Sequence, residues 1–128
     1  MDEEKLLKND IRFLKIGRKF PKWITPKTDG LGPSARINST LNYYETLNIL
    51  IVTGGSDRDK KFFYKDIFVY DVATFKWTKL FVFEDMPIER AEHATILMDK
   101  KFIIFGGKNS NFYIGSELYI VNFGKILT

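Results

Sequence analysis

Twice in this chain an apolar run ends on two adjacent glycines. "LNILIVTGG" closes on Gly54 and Gly55, and "KKFIIFGG" closes on Gly106 and Gly107, 52 residues later. Self-similarity at this period constrains the fold more than any bulk property. A unit of roughly 20 to 50 residues is one supersecondary element that buries its apolar face only by stacking on the next copy. The neighbours repeat in the same order. Pro33 and Pro87 each precede an arginine by three residues, and those arginines, Arg36 and Arg90, lie 54 apart. "DIFVYD" from Asp66 is matched by "ELYIVN" from Glu117, 51 residues on. A looser third copy comes first: Trp23 stands thirteen residues before Arg36 as Trp77 stands thirteen before Arg90, and Ile11 to Trp23 can be laid along Asp66 to Trp77.

Each unit divides into short segments rich in β-branched and aromatic residues, separated by turn formers, which is the pattern of strands. In the first unit these are Ile37 to Tyr44, Leu47 to Thr53, Asp66 to Val72 and Lys76 to Val82. In the second they are Glu92 to Asp99, Lys100 to Phe105 and Ser116 to Phe123, with a fourth cut off. A helical period is confined to the first dozen residues, where Leu6, Leu7, Ile11 and Leu14 would make a weak helix. The fold class read from this is all-β.

Pro33, Arg36, Gly54-Gly55, Tyr70-Asp71 and Trp77 in one unit, with Pro87, Arg90, Gly106-Gly107 and Asn122 in the next, resemble the kelch repeat. The resemblance implies that each unit of roughly fifty residues is a four-stranded antiparallel blade of a β-propeller. On this reading residues 1–10 are an N-terminal tail with room for a short helix and 11–32 the tail of a preceding blade. Residues 33–86 are a complete kelch repeat, and 87–128 an incomplete one lacking its last strand. The second copy departs from the first in having Val121 where the first has Tyr70, and in reaching no tryptophan. A ring takes four to eight blades, so the chain is expected to be a piece of a partial propeller whose remaining blades lie in a longer chain or in other copies. Two sheets packed face to face, with Trp77 between or beside them, are expected. An exposed outer face on the second sheet, with Phe102, Ile104, Leu118 and Ile120 among its candidates, is expected too.

The recurring residues read as structural. The glycines permit a sharp turn beside a crowded neighbour. The resemblance implies that Arg36 and Arg90 are partly buried and hydrogen-bonded to loop backbone, and that Tyr70 and Trp77 pack between adjacent sheets. A phosphate-cradling loop at Gly106–Lys108 fails because Phe102 stands where its first glycine is needed. His93, the single histidine, reads as a packed strand position, and no cysteine or second histidine is present to share a metal with it. A calcium loop beginning at Asp57 and Asp59 fails at Phe62, where glycine is required, and at Phe68, where the bidentate acid belongs. No cofactor is expected.

The absence of cysteine fits a reducing compartment. "MDEEKLLKND" lacks the apolar core of a secretory signal, and no apolar run approaches the roughly 20 residues of a membrane helix. A cytoplasmic location without membrane association is therefore expected, and the sequon at Asn38 reads as accidental. The net charge of +4 is spread along the chain and identifies no partner by itself.

In an antiparallel meander the loops after the second and fourth strands open on one face. That face carries Ser56 to Lys65, Lys108 to Ser116 and the connection Phe83 to Glu89, and binding residues tend to sit on such loops above a rigid scaffold. The candidate partner-binding residues are Arg58, Lys60, Lys61, Phe62 and Phe63 on the first loop, and Asn109, Asn111 and Phe112 on the second. Nucleic acid is not the expected partner, since no stacking platform accompanies the cations. The expected function is that of a kelch-type protein-interaction module, an adaptor or scaffold without catalysis. The alternative is a regulatory kelch segment of a larger enzyme, such as a phosphatase.

Overall fold

The computed structural model describes residues 7–17, 19–80 and 87–123. Nine strands follow in order: β1 (Phe13–Lys15), β2 (Lys22–Ile24), β3 (Thr40–Tyr44), β4 (Ile49–Thr53), β5 (Ile67–Asp71), β6 (Lys76–Leu80), β7 (Ala94–Met98), β8 (Lys101–Phe105) and β9 (Leu118–Asn122). They form sheets of two, four and three strands, β1-β2, β3-β4-β5-β6 and β7-β8-β9. Every pairing within these sheets is antiparallel. Phe81, Val82 and residues 83–86, parts of the fourth segment and of the connection singled out above, lie outside the described residues. So do residues 1–6 of the N-terminal segment read as a helix, and residues 7–12 form none. Where that segment is described, Leu14 belongs to β1 and Ile11 packs against the aromatic cluster of the four-stranded sheet.

The strands start later than the apolar runs suggest, and the backbone shows why. Asn38 and Glu92 hold left-handed conformations, φ 56° and 58°, which interrupt extension just before β3 and β7. Ile37 instead pairs across the loop with Ser56 through two backbone hydrogen bonds of 2.9 Å. The hairpins are closed by polar residues. Asp71 Oδ1 accepts the Ala73 and Thr74 amides at 2.9 and 3.1 Å between β5 and β6. Between β7 and β8, Asp99 and Lys100 both adopt positive φ, the two-residue turn whose twist matches its flanking strands.

Alternation decides the core. Ile49 and Ile51 of β4, Ile67 and Val69 of β5, Tyr44 and Leu80 face the three-stranded sheet, which answers with Phe102, Ile104, Val121 and Phe123. The first strands of the two sheets meet through polar groups: Thr95 Oγ1 donates to Asn42 Oδ1, and Thr40 Oγ1 lies 3.2 Å from His93 Nε2. On the far face, Phe68, Tyr70 and Trp77 form a second cluster covered by Ile11 and Phe13. The Tyr70 ring centroid lies 4.8 Å from Trp77 and 6.2 Å from Phe13. Trp77 thus stands beside the two larger sheets, toward the N-terminal hairpin. Its strand edge is covered by Asp29, whose amide and carbonyl bond to Phe75 O and Trp77 N at 2.9 Å.

Two residues expected on the open outer face are not there. Phe102 and Ile104 are fully buried against the four-stranded sheet, because β8 presents its even-numbered side chains to that sheet. Leu118 and Ile120 do lie outside, 58% and 53% exposed. They align with the outward-facing Phe105 and Ile103 of β8.

Candidate functional site

The two glycine-terminated strands feed two loops of the same design. In the first, Asp57 Oδ1 accepts the amides of Lys61 and Phe62 at 2.8 and 3.1 Å, and Asp57 N donates to Phe62 O at 3.0 Å. In the second, Asn109 Oδ1 accepts the amides of Asn111 and Phe112 at 2.9 and 3.2 Å, and Asn109 N donates to Phe112 O at 3.1 Å. A short carboxylate or amide that satisfies nearby backbone amides fixes a turn that would otherwise be mobile. The consequence is the same in both loops: an aromatic ring, Phe62 or Phe112, is held outward, 59% and 53% exposed.

Arginines lock these loops from beneath. Arg36 donates to Ser34 O at 3.1 Å and to Gly54 O at 3.0 Å, and its Nη1 and Nη2 grip both carboxylate oxygens of Asp66. Its guanidinium lies 3.8 Å from the centre of the Tyr64 ring. Arg90 donates to Ile88 O at 3.2 Å and to Gly106 O at 3.0 Å, the same two backbone contacts. No carboxylate among the described residues joins it, and burial pulls its pKa below the usual arginine value.

His93 sits between the two larger sheets, 8% exposed. Burial, then the charge of Arg90, push its pKa down to about 4 against a weaker upward pull from the Thr53 backbone. Nδ1 makes no hydrogen bond to a described residue. The folded protein therefore holds His93 neutral where an unfolded chain, with a pKa of about 6.5, binds a proton. Stability is full above about pH 6.5 and falls as the pH drops toward 4. At pH 5 the expected loss is about 2 kcal/mol relative to pH 7. Urea unfolding at both pH values should show this loss in the native chain and a smaller one in His93→Gln. An equal loss in the variant would place the proton elsewhere.

The loops enclose two adjoining hollows. One, of about 490 Å³, is lined by Lys61, Phe62, Phe63, Lys65, Glu89 and Ser110 among others. The second, of about 400 Å³, is lined by Lys60, Phe63, Lys108, Asn109, Ser110, Asn111, Phe112 and Tyr113. Phe63 and Ser110 belong to both, so the hollows form one groove with Phe63 in its floor.

Of the residues singled out from sequence, the groove gathers Lys60, Lys61, Phe62, Phe63, Asn109, Asn111 and Phe112. Phe63 turns inward, 8% exposed, so Phe62 is the surface ring of that pair. Asn109 commits its side-chain oxygen to its own loop. Arg58 is exposed on the first loop and already engaged. Sequence reasoning missed Lys108, Tyr113 and Glu92. Glu92 occupies the place of Asn38 in the repeat, 54 residues on, and that substitution was the available signal.

Lys60 Nζ and Lys108 Nζ approach Glu92 Oε1 and Oε2 at 3.3 and 3.1 Å. Bonding to Lys108 and Lys60 outweighs desolvation and holds the Glu92 carboxyl below the usual carboxylate range. No cluster of three or more metal-ligating side chains occurs among the described residues, and no described helix is long and apolar enough to cross a membrane.

Three comparisons bear on this arrangement. The family model described as the KLHDC2/KLHL20/DRC7 Kelch-repeats domain matches residues 1–126. Acyl-CoA-binding domain-containing protein 4 of Arabidopsis thaliana is 26% identical over 125 residues, 98% of this chain and 18% of that protein. The solved structure of YjhT superposes with a TM-score of 0.61 over 78% of this chain and 28% of that one, at 24% identity. The chain thus spans under a third of the length of either protein.

Proposed function

The chain belongs to the KLHDC2/KLHL20/DRC7 Kelch-repeats domain family, and from that premise we propose that it holds a protein partner in the groove between its two stapled loops. In this reading residues 33–86 and 87–128 are successive blades of a partial propeller and 11–32 the tail of a preceding one. The module acts as an adaptor or scaffold, not as a catalyst, and works in the cytoplasm, in keeping with its lack of cysteine.

The observation that carries the reading is the pair of exposed rings. Phe62 and Phe112 stand outward on loops fixed by the Asp57 and Asn109 staples. Rigid exposed aromatics lose little entropy on binding and anchor interfaces well. Buried Phe63 beneath them and lysines around them match the apolar centre and polar rim of a recognition surface.

Selection of random displayed peptides against the chain tests this. Selected peptides should lose affinity at least about tenfold, the scale of an aromatic anchor, when Phe62→Ala and Phe112→Ala are combined, with the melting temperature unchanged. Binders indifferent to both substitutions would put the interaction surface elsewhere.

A further inference from the structure

We propose that the groove takes a peptide segment bearing a carboxylate, which exchanges with Glu92 for Lys60 and Lys108. The proposal rests on the reading of the groove as a partner site and adds the chemistry of what enters it.

The first observation is convergence. Lys60 comes from the first loop and Lys108 from the second, yet both ammonium groups meet on one carboxylate, at 3.3 and 3.1 Å. Asn38 Nδ2 reaches the same Oε1 at 3.4 Å. The chain therefore already holds a carboxylate where its two loops meet, and both lysines also line the 400 Å³ hollow beside Phe112 and Tyr113.

The second observation is backbone conformation. Glu92 sits at φ 58°, and its repeat equivalent Asn38 sits at φ 56°. Asparagine tolerates the left-handed region better than glutamate, so the second unit carries the less comfortable residue at this corner. What glutamate brings there, and asparagine cannot, is a charge that both lysines bind.

The third is cost. The Glu92 side chain is 40% exposed, and those of Lys60 and Lys108 are 48% and 26% exposed. Ion pairs this open to water are weak, so a carboxylate from a partner can replace the internal one with little net loss. A segment that also lays an apolar side chain against Phe112 or Tyr113 gains contacts Glu92 does not supply. Glu92 then acts as an internal competitor, which neutralises the lysines until an acidic segment arrives.

The test compares a short fluorescein-labelled peptide of alternating glutamate and phenylalanine with its glutamine counterpart, by fluorescence anisotropy at low salt. The acidic peptide should bind more tightly, and added salt should erase the difference. Glu92→Asn should raise affinity for the acidic peptide about three- to fivefold, the scale of an exposed ion pair. It should leave the glutamine peptide unchanged and the melting temperature equal or higher. Lys60→Gln and Lys108→Gln should each weaken the acidic peptide by a similar factor. Unchanged or weaker binding to Glu92→Asn would overturn the exchange. Equal binding of both peptides, lost in the combined Phe62→Ala and Phe112→Ala variant, would overturn the carboxylate preference while leaving the groove as the partner site. Failure of both peptides to bind, while displayed peptides still depend on Phe62 and Phe112, would do the same.

Discussion

Phe102→Ala is expected to lower the unfolding free energy by about 3 to 5 kcal/mol, the range for truncating a buried aromatic side chain. Leu118→Ala, on the neighbouring strand, should change it by less than about 0.5 kcal/mol. Phe102 has no exposed surface, and its ring lies 5.5 Å from that of Phe123 within the cluster joining the three-stranded sheet to the four-stranded one. Its removal opens a cavity between sheets that β-strand backbone cannot collapse to fill. Leu118 points away from that interface and is 58% exposed, so truncation takes little area from packed surroundings. Urea denaturation of both variants decides. Equal costs, or a larger one at Leu118, would mean that β8 and β9 present the opposite faces to the core.

That pair shows where sequence reading stops. Alternation in "KKFIIF" and "ELYIVN" announces strands, but both faces of each strand are apolar, so the pattern does not say which one meets the neighbouring sheet. The position of the four-stranded sheet decides, and β8 and β9 bury Phe102, Ile104 and Val121 on that side, with Leu97 of β7 partly buried against them. The same limit applied to Phe62 and Phe63. Adjacent rings on a loop can be sorted only once the Asp57 staple fixes the turn, and then Phe63 falls inward and Phe62 outward.

Other parts were legible because each follows from a local rule. The double glycines and the arginines recur in the same order a little over fifty residues apart, and part of their work is shared by the two units. Arg36 and Arg90 make matching bonds to the carbonyls of Gly54 and Gly106. The Asp66 carboxylate that completes the Arg36 site was not legible, since the matching Glu117 is exposed and adds nothing at Arg90. In the groove, Glu92 escaped notice because a glutamate near a strand start is ordinary until its positive φ and its two lysines are known.

At the first glycine of each pair a large backbone effect is expected, and only in one of the two units. Gly54 has φ 64° and Gly106 has φ 69°, so any other residue at either place carries left-handed strain of about 1 to 2 kcal/mol. Their surroundings differ. A Cβ on Gly54 would lie 2.6 Å from both Arg90 O and His93 Cε1, whereas one on Gly106 would meet nothing within 4 Å. Gly54 is where the turn of the first unit abuts the entry to the second, and Arg90 O there accepts the Gly55 amide at 2.9 Å. Gly55 and Gly107 are likewise pressed against backbone, at Ile37 O and Ala91 O. Gly54→Ala must therefore displace backbone that is itself hydrogen-bonded, which adds about 1 to 3 kcal/mol of overpacking to the strain. The expected loss is about 2 to 5 kcal/mol for Gly54→Ala and about 1 to 2 kcal/mol for Gly106→Ala. Because His93 packs on the same spot, Gly54→Ala should also disturb the histidine, moving its ring resonances in an NMR titration while Gly106→Ala leaves them in place. Equal destabilisation by the two substitutions would show that the turn needs glycine for its backbone angle alone and that the second unit does not press against the first at Gly54.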